Sequence, residues 1–302
     1  MRSIGFSKLN RRDEFEKLIQ LCAQDATNRA YTTREIPHQK DGEDETMIAV
    51  FCKDFADGLG LAVCGEFDES NKFSYEYCFP YLRGEGITSY EDITVERHAE
   101  KESYAGICDE VKVGVSLIFY LQNMVPYLKA KNNDDLPIRG TSLTLSGLSC
   151  QGTIMMPILK NETDKKKTQK ASMSRNQLIE AARRGDEEAM ESLTLEDMDT
   201  YTSISRKIHK DDVFTIVDTY FMPYGVECDH YSVLGEILDY SIVENVLTKE
   251  EIYKITILCN ELTFDVCINK IDLFGEPEIG RRFKGVIWLQ GKINFPDEEE
   301  AV

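Results

Sequence analysis

"KNETDKKKTQKASMSR" (residues 160–175) is the stretch on which the reading of the whole 302-residue chain turns. It has no apolar periodicity, and it carries six basic against two acidic residues in a chain whose net charge is −19. Such a composition cannot bury enough apolar surface to offset the entropy of ordering, so it reads as a flexible basic linker. That reading divides the chain into one domain over residues 1–159 and a second over 176–296, with "DEEEAV" (297–302) as an acidic, frayed tail.

Directly after it stands "NQLIEAARRGDEEAMESLT" (176–194). Leu178, Ile179 and Ala182 mark a short helix, Gly185 ends it in a left-handed conformation, and Asp186 caps the next helix. Glu187 and Glu188 fall in that helix's first turn, where its dipole favours negative charge. The phrase resembles the opening of ankyrin arrays and of sigma-factor bundles, and the surroundings exclude both. No second copy follows at a repeat spacing, and residues 176–302 carry 12 basic against 27 acidic residues and turn into strands. A helical hairpin that opens the second domain remains.

Outward from this point the texture differs on the two sides. Towards the N-terminus, Asn10 is placed to cap a helix with Phe15, Leu18, Ile19 and Cys22 on one face. "TMIAVFC", "GLGLAVCGEF" and "KFSYEYCFPYL" read as strands, the last two joined by a "DESN" turn. "VGVSLIFYLQNMV" reads as a buried helix, and "TSLTLSGLSCQGTIMMPI" as two short strands about a glycine. Towards the C-terminus, about five strands rich in Val, Ile, Thr and aromatics suggest a small β-barrel or rolled sheet. The expected fold class is therefore α+β: an N-terminal helix-plus-antiparallel-sheet domain, then a helical hairpin followed by a barrel-like domain.

Several long phrases spread over nearly the full length carry a family resemblance. They include "AVCGEF", "ERHAEKESYAG", "SLTLSGLS", "AARRGDEEAMESLTLEDMDTY", "DTYFMPYGVECD" and "GRRFKGVIWLQG". The chain resembles an uncharacterised family, a domain of unknown function, of cytoplasmic proteins from anaerobic Gram-positive bacteria. The resemblance implies a bacterial, cytosolic origin and brings no activity or site with it.

Bulk properties narrow the function classes. No apolar run reaches the ~20 residues that span a bilayer, and no secretory signal opens the chain. The nine cysteines have no paired CxxC spacing and read as reduced thiols of a cytoplasmic protein. The strong negative charge opposes nucleic acid and anionic membranes and favours a neutral or basic protein partner. Phosphate-loop, dinucleotide and nucleophile-elbow motifs are absent, so no cofactor and no metal is expected, and the oligomeric state is not legible.

Three constellations are candidates for chemistry. In "TVERHAEKESY" (94–104), Glu96, His98 and Glu102 share a face if extended, and His98 and Glu102 are helical neighbours otherwise, so they could serve metal-assisted or acid–base work. In "YGVECDHYS" (224–232), Cys228 and His230 are a possible nucleophile and base on one strand face, with Asp229 pointing away. In "GRRFKGVIWLQG" (280–291), Arg281, Arg282, Lys284 and Trp288 could clamp a phosphate or stack bases, against the alternative of inward aromatics and arginines paired to Glu276 or Glu278. Each cluster also has a plain structural explanation. The expected function is accordingly a non-enzymatic binding or regulatory protein, with an unrecognised enzyme using the 96–102 cluster and nucleic-acid binding through Arg281, Arg282 and Lys284 as alternatives.

Overall fold

The computed structural model describes residues 1–35, 45–98, 103–110, 112–133, 135–136, 140–158, 162–208 and 217–296. A short 3-10 turn (Arg2–Ile4) leads to α1 (Arg12–Gln24), then to an antiparallel meander of β1 (Asn28–Glu35), β2 (Glu45–Ala56), β3 (Leu59–Phe67) and β4 (Phe73–Leu82). Next come β5 (Ile93–Arg97), β6 (Tyr104–Glu110), β7 (Val115–Leu121), α2 (Met124–Asn132) and β8 (Ser142–Met155). A helical pair, α3 (Glu162–Arg183) and α4 (Glu187–Ile208), precedes β9 (Tyr220–Pro223), β10 (His230–Glu244), β11 (Glu251–Cys259), β12 (Leu262–Asn269), β13 (Leu273–Phe274) and β14 (Arg282–Asn294).

The four-stranded sheet β1–β4 is a middle layer. Alternation along β2 sends Ala49 and Phe51 toward Leu18, Ile19 and Cys22 of α1, and Ile48 and Val50 toward Met124, Val125 and Leu128 of α2 and Phe119 of β7. The expected "DESN" turn joins β3 and β4. The Asp68 carboxylate accepts from the Ser70 and Lys72 amides, and Asn71 takes φ 61°.

The second sheet has ten strands and closes on itself. β8 pairs with β12 on one edge and antiparallel with β14 on the other, so β8, β12, β11, β10 and β14 form a five-stranded barrel. β7, β6 and β5 extend the sheet beyond β14, and β9 adds to β10. Small barrels fill their interiors with side chains, alternating large and small residues. Here the Phe283 ring occupies the space beside Gly152 and Gly285, and Ile287 that beside Gly147.

The α+β fold class is overturned: the molecule is mostly β, with 50% strand and 22% helix. The reason lies in two misread segments. "TSLTLSGLSCQGTIMMPI" forms the single strand β8 rather than two strands, because Gly147 and Gly152 give way to Ile287 and Phe283 inside a barrel instead of making a turn. "VGVSLIFYLQNMV" is not a helix either. It is the strand β7, with Leu117, Phe119 and Leu121 buried in alternation, followed by the turn at Gln122–Asn123 and α2.

Four of the five barrel strands expected toward the C-terminus are present as β10, β11, β12 and β14. The first, expected over 213–222, lies partly outside the described residues and partly in β9, which is not in the barrel, and the fifth barrel strand comes from before the helical pair. Most of the 160–175 stretch, read above as a linker, belongs to α3, and a division there would cut the ladder that runs from Ser142↔Asn294 to Met155↔Arg282. The helical pair is an insertion between two barrel strands. Its joint is as expected: Gly185 adopts φ 90°, and Asp186 accepts from the Glu188 and Ala189 amides. The N-cap of α1 is Arg11 rather than Asn10, and the expected tail at 297–302 lies outside the described residues.

A Cβ added at Gly152 would stand 2.6 Å from the Phe283 ring and 2.9 Å from the Ile268 side chain. Gly152→Val should therefore lower stability by roughly 1–3 kcal/mol through overpacking. The check is the midpoint of urea unfolding, and pairing the change with Phe283→Leu should recover part of the loss.

Candidate functional site

The antiparallel register of β10 with β14 sets His230 opposite Trp288, Ser232 opposite Val286 and Leu234 opposite Lys284. Tyr231 and Val233 are buried, so the intervening His230 and Ser232 face outward with Trp288, Val286 and Lys284. Two constellations more than fifty residues apart in sequence thus meet on one outer face of the barrel.

Asp229 organises this face. One carboxylate oxygen accepts the Trp288 indole N–H at 2.6 Å, and the other is 3.0 Å from His230 Nδ1. Its backbone carbonyl accepts from the Leu289 amide, which anchors the loop before β10 to β14. The His230 side chain remains 36% exposed and that of Asp229 23%. Cys228 lies in the exposed turn before β10, so the carboxylate expected to point away is the group that meets the histidine.

The aromatic face continues onto β7. Tyr120 packs edge-on to Trp288 at 5.1 Å, lies 4.7 Å from Phe79 and has the His98 ring stacked over it at 6.3 Å. Burial pushes the Tyr120 hydroxyl well above its ordinary pKa, and the Asp229 carboxylate adds to that shift, so it stays neutral near pH 7. His98 directly follows β5, and its Nδ1 is 2.9 Å from the hydroxyl of Ser103, which precedes β6. Glu96 is exposed on β5, whereas Glu102 lies outside the described residues. Among the described residues no three His, Cys, Asp or Glu side chains converge in a way that could hold a metal ion.

At the other end of the face an open cleft of about 280 Å³ is lined by Gln151, Thr153, Tyr224, Ser232, Lys284 and Val286. Arg281 and Arg282 do not join it. Arg281 forms an ion pair with Glu278 at 2.5 Å and donates to the Glu276 carbonyl at 3.0 Å. Arg282 is buried and donates to the carbonyls of Met156, Val217 and Asp218, which ties together the two ends of the helical insertion. The four residues of the 281–288 cluster therefore have separate roles: an ion pair, an internal clamp, a cleft wall and an aromatic anchor.

The sequence reading placed Asp229 away from this site and missed Tyr120 altogether. The indole N–H of the single tryptophan needs an acceptor when it is half-buried, and that requirement was the available signal for Asp229. Tyr120 was hidden by the reading of its segment as a helix. The cysteines divide by exposure. Burial pushes Cys22 and Cys259 up to about 12 and Cys52 and Cys108 up to about 11, while Cys150 and Cys228 are exposed.

Replacing Asp229 by Ala leaves a half-buried indole N–H without this acceptor, at a cost of about 1–3 kcal/mol. Because Trp288 is the only tryptophan, its fluorescence reports the change directly. The emission maximum should shift in Asp229→Ala and stay in place in Cys228→Ser.

No curated protein and no solved structure matches the chain. A family model does match, over residues 1–291, described as a domain of unknown function, E. rectale gene description (DUF3881). That span covers the whole barrel apart from the last residues of β14, and the chain belongs to this family.

Proposed function

We propose that the protein is a non-enzymatic binding protein whose contact surface is the outer face of β10 and β14. The partner is another protein with a neutral or basic surface. The observation that carries this reading is the convergence of Trp288, Tyr120, Asp229 and His230 on one half-exposed face that runs into the cleft at Lys284. Aromatic side chains held in place by hydrogen bonds and ring packing contribute contact area with little further loss of entropy, and Trp and Tyr are enriched in the energetic centres of interfaces. The net charge of −19 favours partners of opposite sign.

Nucleic-acid binding receives less support, since Arg282 is internal and Arg281 is engaged by Glu278. The enzymatic alternative through the 96–102 cluster receives less support, since Glu96 is exposed on β5 and His98 Nδ1 is engaged with the Ser103 hydroxyl. The other histidine candidate, His230, has its Nδ1 held by Asp229. Cys228 is exposed in the adjoining turn rather than enclosed in a water-excluding pocket.

Affinity capture from lysate, with the full chain and its Trp288→Ala and Lys284→Glu variants in parallel, tests this reading. A partner retained by the parent chain and lost from both variants is expected. A partner captured equally by all three, or none captured by any, contradicts the assignment of the surface.

A further inference from the structure

We infer that the distal half of β10 is an acceptor edge for an extended, basic segment of another protein, added as a strand to the barrel sheet. This goes beyond the outer-face surface and stands independently of it.

β10 is 15 residues long, and its two edges are used unequally. One edge carries β9 along Tyr231–Leu234 and then β11 from Glu236 to Glu244. The other edge carries β14 only from His230 to Glu236. The last contacts there are the Ile237 amide with the Arg281 carbonyl and the Gly280 amide with the Ile237 carbonyl. Beyond them the edge from Asp239 to Glu244 has no strand partner among the described residues, while its pairing to β11 runs without a break in register. Along these six residues, roughly 20 Å of strand, alternate residues turn their backbone donors and acceptors to an edge that carries no strand among the described residues. One edge donor, the Tyr240 amide, is engaged locally, donating to the Asp239 carboxylate at 2.9 Å.

The side chains along this edge match strand addition. Leu238, Tyr240 and Ile242 are large apolar groups 39%, 39% and 46% exposed, although the β11 partners of the last two, Ile255 and Tyr253, are buried. An added strand gains main-chain hydrogen bonds along the edge and apolar contacts from alternate residues. Natural edges are commonly blunted by Lys or Pro, and residues 238–244 contain neither. The bulge between Ile237 and Asp239 sits where β14 departs, and the free run begins after it.

Charge selects the occupant. Asp239 and Glu244 end the free run, and Glu276 and Glu278 lie on the adjoining turn. Glu244 is paired with Lys249 and Glu278 with Arg281. That leaves the carboxylates of Asp239 and of Glu276, the latter accepting from the Tyr253 hydroxyl opposite Ile242, in no ion pair among the described residues. A second copy would bring Asp239 and Glu244 against the same acids in a molecule of net charge −19, so self-pairing is disfavoured. A strand with Lys or Arg between apolar residues satisfies both features.

The probe is a nine-residue peptide of alternating Lys and Val, measured against the full chain by fluorescence anisotropy, with hydrogen exchange locating the contact. Saturable binding that protects the amides of 239–244 is expected. Binding should weaken roughly tenfold or more in Asp239→Lys and in Ile242→Pro, the second because Pro removes an edge donor. Tyr240→Lys, a surface change that leaves the backbone intact, guards against a folding defect in Ile242→Pro and should weaken binding as well. The inference is overturned by absence of binding, by protection outside 239–244, by equal binding of a Glu–Val peptide, or by a dimer of the protein that Ile242→Pro dissolves.

Discussion

The pairing of β8 with β14 is the constraint from which the rest of this structure follows. β8 comes from the first half of the chain and β14 from its end, and their antiparallel ladder joins Ser142 to Asn294 and Met155 to Arg282. Without it, β10, β11, β12 and β14 would be an open sheet with two exposed edges. With it, the barrel closes, Phe283 is enclosed beside Gly152 and Gly285, and the edges disappear where the ladder runs. Closure over such a sequence separation is entropically costly, and it is offset by an interior in which Ile255, Ile257, Val266, Ile268, Phe283 and Ile287 are all fully buried.

The same ladder places the functional surface. β14 is held between β8 and β10, and its far end touches β7 through Gln290↔Tyr120 and Gly291↔Leu121. Trp288 is thereby brought to Tyr120 on one side and to Asp229 and His230 on the other. Arg282, at the opposite end of β14, gathers the carbonyls at the two ends of the helical insertion. A single strand thus holds the barrel, the aromatic face and the root of the helical pair. Beyond Glu236, β10 is released from β14, which leaves its distal edge without a partner among the described residues.

Much of this was legible from local signals. The helical joint at Gly185–Asp186, the 68–71 turn and the strands β10, β11, β12 and β14 are encoded by turn chemistry and short-range alternation. The Arg281–Glu278 ion pair was also within reach, because the partners are three residues apart. What escaped depends on long-range pairing. Gly147 and Gly152 look like breakers in isolation, and only the facing Ile287 and Phe283 explain them. The polar composition of 160–175 argues for a loop, yet Lys, Gln, Ala and Glu are strong helix formers, and the segment continues a helix anchored by Arg183 on the Asp109 carbonyl. The meeting of His98 with Tyr120 and of Asp229 with Trp288 depends on a register that composition cannot supply.

Cutting the chain just before α3 tests the central claim most directly. Residues 1–161 and 162–302 would be produced separately and mixed, with urea unfolding followed by far-UV circular dichroism for both fragments and by the fluorescence of Trp288 for 162–302 and the mixture. The shared barrel predicts that neither fragment unfolds cooperatively alone and that the mixture recovers a cooperative transition as β8 re-pairs with β14 and β12. A cooperative transition of the 162–302 fragment by itself would contradict it, because that piece would then close a barrel without its fifth strand.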